Sequence, residues 1–344
     1  MTVRKMPARP SSRWQRLGEA ELLRVRIRAL GLALKGSPLE SSLERVSAEL
    51  AGRHLRVRPG FYLSDEWFTV NGQLNVAVPF FLAHPRLKRL EEKMLLTVEG
   101  GTEVERMRIL RHEAGHVVDH AFRLSRRRRY REVFGRSRPY PRAYSPKQDS
   151  KRFVQHLPNS YAQSHPAEDF AETFAVWLRP RSSWRSRYRD WRVALAKLEF
   201  VNDLMKELAG KRPPVSARER YRPLSSLAGT LGDFYRRRQD ELALEFPRLQ
   251  DRDLLRLFVA PLQGKALPRA STLLRRYRDQ VVGAVARTTG MHRYSVDRRF
   301  RQVVERCREL DLRAPRRGAR PALEMAALLA NSVVRYARRG EFFL

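Results

Sequence analysis

"RHEAGHVVDH", residues 111–120, decides the reading of this chain. On an α-helix, residues four apart lie one turn apart on the same face. His112 and His116 can therefore each aim an imidazole nitrogen at one ion. Glu113 is rotated away from that direction, so it reaches a water on the ion rather than the ion itself. This is the H-E-x-x-H arrangement, two metal ligands and a general base. Zinc bound by three protein ligands keeps a position for water and brings that water's pKa towards about 7. Glu113 can then take the proton while the hydroxide attacks a carbonyl.

The flanks fit a helix. Gly100 and Gly101 break the segment before it, and Thr102 and Glu105 have capping-box spacing. Met107, Leu110, Ala114, Val117, Val118 and Ala121 recur at three- and four-residue steps, which gives one core-facing stripe. Two histidines and a glutamate beside such a stripe need buried partners, and a metal supplies one. Gly115 suits close approach of another backbone.

A third ligand has to come from elsewhere. His120 is four residues further on, but a third turn of one helix lies too far along the axis to close a tetrahedron. Asp119 reads as an outer or surface position. The better source is "SHPAEDFAETFAVWL" (164–178), a second helix with Ser164 or His165 as cap and Pro166 in its first turn. Glu168 and Glu172 are again four apart, on the face away from Phe170 and Phe174. One can ligate the metal while the other holds a ligating histidine by its second N–H. Asp169 points elsewhere.

"HEAGHVVDH" followed by "SYAQSHPAEDFAETFAVWL" resembles the gluzincin metallopeptidases, most closely the group containing anthrax lethal factor, with Mlc titration factor a looser relative, and more broadly the bacterial proteins described as "putative zinc-binding metallopeptidases". The resemblance implies Glu168 as third ligand and Glu172 as its supporting carboxylate. It implies Tyr161, seven residues before the ligand, as the group that stabilises the oxyanion. A phenol can donate to a developing charge in a water-poor cleft, and Tyr130, Tyr140 or Tyr144 could substitute. The likeness covers about residues 102–180. By fold analogy "LNVAVPFFLAHPRL" (74–87) would line the cleft as a strand to which an extended peptide adds. The long basic insert between the two helices departs from the compact pattern, and the helical stretch after 211 has no counterpart.

Composition sets the frame. The chain has 344 residues, 42% of them apolar, enough for two or three packed domains. A single cysteine, Cys307, excludes an internal disulfide framework and a cysteine zinc site. The formal charge is +33, and only ten of the seventy basic residues are lysine. The basic residues are spread along the chain, apart from the block at 123–142. A rim of Arg126 to Arg129 and Arg131 would favour acidic substrates by steering.

The expected fold is α+β and mostly helical. Residues 1–52 read as a basic tail and helices, 53–210 as a zincin-like domain with a small sheet and the H-E-x-x-H helix, and 211–344 as a helical region. The expected activity is zinc-dependent hydrolysis of peptide bonds in a protein or peptide substrate, with Zn²⁺ as cofactor. Zinc suits this ligand set best. The alternative is a basic nucleic-acid-binding protein, with residues 288–313 as a short helix-turn-helix or a plain helical pair, or else a non-catalytic metal-bound interaction module. No apolar run is long enough for a membrane span, and 322–334 falls short. The expectation is a soluble, cytoplasmic protein.

Overall fold

"LNVAVP" becomes the middle of a sheet. The computed structural model describes residues 12–141, 144, 146–147, 149–243, 251–260, 267–314 and 320–337. The expected basic tail before residue 12 lies outside them. β3 (Asn75–Pro79) pairs in parallel with β1 (Gly60–Ser64) and antiparallel with β2 (Phe68–Thr69), giving the order β1-β3-β2. Every residue of β3 is buried, as a strand with neighbours on both sides and layers on both faces should be. This corrects the cleft reading of 74–87. β3 is central and has no free edge; the edge strands are β1 and the two-residue β2.

The chain is α+β and mostly helical, with this one three-stranded sheet among the described residues. It divides into two compact units. The first comprises residues 1–92, 98–141 and 146–235, and the second 93–97, 142–145 and 236–344. In the first, α1 (Glu19–Leu23) and α2 (Glu40–Gly52) precede the sheet, and α3 (Pro85–Leu95) follows it. Then come α4 (Glu103–Phe122), α5 (Arg128–Phe134), α6 (Pro166–Leu178), α7 (Trp184–Arg187) and α8 (Arg192–Leu208), and α9 (Leu231–Glu241) begins at the end of the unit.

The unit closes on itself through residues 215–235; the composition of 211–225 suggests a linker, yet its second half packs back on the sheet. Backbone N–H groups of Leu74 and Val215 donate to the carbonyls of Ala217 and Ala121 at 2.9 and 3.3 Å. The Tyr62 hydroxyl donates to the Tyr221 carbonyl at 2.9 Å, and Ser64 Oγ to that of Arg222 at 2.7 Å. Buried strand edges need hydrogen-bond partners, and this segment supplies them. Phe234 then packs edge-on against Phe80, with ring centroids 5.2 Å apart.

The second unit is helical: α10 (Asp251–Leu255), α11 (Ala270–Arg276), α12 (Arg278–Thr289), α13 (Arg293–Glu309) and α14 (Arg320–Ala337). Its core includes Phe258, Leu274, Val285, Phe300, Val303 and Leu329. Cys307 is buried there, and loss of solvent pushes its thiol up to about 12. Within 288–313, Gly290 ends α12 in the left-handed region and α13 starts three residues later. The outer arginines of α13 are paired with acids: Arg301 with Asp297, Arg306 with Asp251 and Glu309, and Arg308 with Glu305. Residues 322–334 form the body of α14. Among the described residues no helix is long and apolar enough to cross a membrane.

Candidate metal centre

Helix α4 starts where the capping box places it. Thr102 Oγ1 accepts from the Glu105 N–H and the Glu105 carboxylate accepts from the Thr102 N–H, each at 3.2 Å. From Ile109 to Asp119 every residue is buried, so the polar 111–116 stretch sits inside the protein. Arg111 is balanced by two hydrogen bonds of 2.7 Å to the two carboxylate oxygens of Glu49. That bidentate geometry is the strong form of the pair.

Helix α6 crosses α4 at Gly115. A Cβ there would lie 2.8 Å from Ala171 Cα and 3.2 Å from the Ala171 carbonyl oxygen. The two backbones touch at this point, and the facing turns bring their polar side chains together. α6 begins at His165, whose Nδ1 accepts from the Ala167 N–H at 3.1 Å, with Pro166 in the first turn.

Three side chains converge. Glu168 Oε2 lies 2.9 Å from His112 Nε2 and 3.2 Å from His116 Nε2, and the two imidazole nitrogens are 3.1 Å apart. All three residues are buried, and among the described residues they form the group that could hold a metal ion. A tetrahedral set with bonds of about 2.0–2.2 Å spaces its ligand atoms about 3.3–3.6 Å apart. The observed triangle is only slightly tighter, so the residues fit a zinc ion.

The electrostatics agree. Burial disfavours a charged His112, yet Glu168 and Glu172 outweigh it and raise the imidazole's pKa well above the ordinary value. Burial disfavours charge on His116 too, and Glu168 reverses it. Burial works against an ionised Glu168, and the two histidines hold it well below the usual carboxylate range. The carboxylate holds positive charge in this pocket, and a divalent ion would supply it without a bound proton.

Glu172 is fully buried one turn beyond Glu168. Its Oε1 lies 2.8 Å from His112 Nδ1, and its Oε2 accepts from the Leu157 N–H at 2.8 Å. An imidazole that donates Nδ1–H to this carboxylate turns a lone pair on Nε2 towards the centre. Glu113 is held from the other side, where Thr69 Oγ1 on β2 donates to Glu113 Oε2 at 2.6 Å. Tyr161 places its ring 5.6 Å from that of His112. It follows Asn159 and Ser160, both with left-handed backbones at φ of 61° and 53°. Consecutive non-glycine residues there mark a turn fixed by its surroundings.

Other candidates lie outside the triangle. His120 stacks near His116, with centroids 6.3 Å apart, and its Nδ1 lies 3.3 Å from the Gln73 carbonyl. Burial lowers its pKa to about 4, so it stays neutral. Asp119 is buried and accepts from the Ser125 N–H at 2.8 Å, which fixes the turn after α4. Tyr130 is buried against Phe134 and Phe170. Of the arginine run, Arg127 pairs with Glu207 and Arg128 with Glu132 at the surface. Two contacts had no signature in the sequence: Thr69 with Glu113, and Tyr140 with Glu168. Both join residues far apart in the chain, and no local spacing reports such pairs.

Asp169 turns away from the triangle to Lys197 on α8, at 2.5 Å. Both residues are buried, and Asp169 Oδ1 has no hydrogen-bond partner among the described residues. Burial pushes this carboxyl up to about 7 even with the ammonium beside it. Removing one member of a buried pair leaves the other charge uncompensated, at a cost of about 3–5 kcal/mol. Lys197→Met should therefore lose about that much stability at pH 8 in denaturant unfolding, and adding Asp169→Asn should recover most of it. Equal loss in the single and double variants would show that the pair is not the cause.

Residues 105–203 match a family described as "Putative zinc-binding metallo-peptidase". The matched segment begins in the first turn of α4 and ends within α8, so it contains both helices of the triangle. No curated protein and no solved structure matches the chain. The family match and the buried His-His-Glu cluster together support a zinc-binding hydrolase of the metallopeptidase kind.

Proposed function

We propose that this protein is a zinc-dependent peptidase of gluzincin type that hydrolyses amide bonds in a peptide or protein substrate. One observation carries the reading. Two histidines of one helix and a glutamate of a second converge on a point, and a further acid, Glu113, is held beside them by Thr69. His112, His116 and Glu168 would hold the ion, with Glu172 orienting His112. Zinc in such a site lowers the pKa of a bound water towards about 7 and polarises a carbonyl.

The chain's own groups supply the rest. Glu113 takes the water's proton on the oxygen that Thr69 leaves free, and passes it to the departing amine. Tyr161 donates a hydrogen bond from its hydroxyl to the oxyanion as charge develops there. β2 carries Thr69 along the edge of the sheet, so an extended peptide adding to that edge would run past Glu113. The burial of the triangle lowers the local dielectric and strengthens each of these interactions.

Metal analysis and peptide hydrolysis by the purified full chain test the proposal together. One zinc per chain is expected, along with cleavage that a chelator stops and added zinc restores. In Glu168→Ala the zinc should be lost. Zinc bound tightly without cleavage of any peptide in a diverse library would leave a metal-bound interaction module in its place. A chain that binds no zinc would remove the reading altogether.

A further inference from the structure

The basic insert between the two ligand-bearing helices reaches the centre through Tyr140. Residues 135–141 run past the start of α6 and touch it repeatedly. Gly135, with φ of 100°, lies where a Cβ would meet Pro166 Cγ at 3.5 Å. His165 Nε2 donates to the Arg138 carbonyl at 2.7 Å while its Nδ1 caps α6. The Tyr140 ring stacks on the His165 imidazole, with centroids 4.0 Å apart and planes 18° from parallel. The Tyr140 hydroxyl donates to Glu168 Oε1 at 2.6 Å. About half of Tyr140 is solvent-exposed (53%), while its hydroxyl end reaches inward to the carboxylate.

The consequence lies in the two oxygens of Glu168. Oε2 faces both imidazoles, and Oε1 is taken by the phenol. We propose that Tyr140 is a positioning residue of the metal centre, holding Glu168 so that one oxygen alone serves the ion. The second oxygen then cannot swing in to fill the vertex that a water needs. Stacking on the residue that caps α6 ties the phenol's position to the helix carrying the ligand. The insert thereby becomes part of the metal site. This inference rests on the reading of His112, His116 and Glu168 as ligands.

Two variants separate the hydroxyl from the ring. Tyr140→Phe keeps the stack on His165 and removes the donor; Tyr140→Ala removes both. The readouts are zinc affinity by competition with a chromophoric chelator, the visible absorption of the cobalt-substituted protein, and the melting temperature of the zinc-free protein. Tyr140→Phe should bind zinc about 10–100-fold more weakly, the usual effect of losing a hydrogen bond to a ligand. Its cobalt spectrum should change, and its zinc-free melting temperature should match wild type. Unchanged zinc affinity and an unchanged cobalt spectrum in Tyr140→Phe would overturn the proposal. So would a fall in zinc-free melting temperature that accounts for the weaker binding. Absence of zinc from the wild type would instead refute the ligand assignment, so the two failures are distinguishable.

Discussion

Glu113→Gln should bind zinc as the wild type does and lose about 10²–10⁴-fold in kcat/KM for peptide hydrolysis, the range that a positioned general base contributes. Glutamine preserves the shape of the side chain and can still accept from Thr69, whose hydroxyl lies 2.6 Å from Glu113 Oε2. What it lacks is a lone pair basic enough to take a proton. Glu113 does not belong to the His112–His116–Glu168 triangle, so the three donors proposed for the ion remain. Metal content and steady-state kinetics on the same preparation decide the matter. Hydrolysis that survives intact would assign the base elsewhere. Loss of zinc along with activity would make Glu113 a structural member of the centre.

Gly115→Val should remove the centre without touching a ligand. At this position α4 and α6 are in backbone contact, and an added Cβ would stand 2.8 Å from Ala171 Cα. Backbone cannot rotate aside as a flexible side chain can, so the helices must separate. Overpacking of this kind costs about 1–3 kcal/mol and more where backbone is involved. At about 3 kcal/mol a unit of roughly two hundred residues melts about 6–12 °C lower. The larger effect is on metal. His112 and His116 ride on one helix and Glu168 on the other, so separation opens the triangle and zinc affinity falls with it. Gly52, at the end of α2, has nothing within 4 Å of its missing Cβ, and Gly52→Ala should change neither property. Calorimetry and chelator competition on both variants measure this, and a Gly115→Val protein that melts and binds zinc like wild type would refute the close-contact account.

The two helices were legible because their signals are local. A capping box three residues wide, an apolar stripe at helical steps and a histidine pair one turn apart all lie within a 20-residue window, and the structure has α4 running from Glu103 to Phe122. The same holds for α6, where His165 and Pro166 mark the start. The sheet was less legible. Its central strand reads as a short apolar run, and such a run does not show whether it lies at an edge or in the middle. One edge strand, β2, is two residues long, too short for any alternation to register. The stretch 211–225 reads as a linker from its prolines and arginines, yet it supplies hydrogen-bond partners to β1 and to the start of β3.

The amino-acid order by itself determined the kind of chemistry: two imidazoles and an acid on one helix, two carboxylates on another, each spacing set by 3.6 residues per turn. Only the tertiary structure decided which carboxylate faces the imidazoles, that Glu172 backs His112, that Thr69 steadies Glu113 and that Tyr140 holds the far oxygen of Glu168. Helical periodicity fixes which residues share a face. It does not fix which faces meet, because that depends on where two backbones can approach most closely, and here a glycine opposite an alanine sets the crossing.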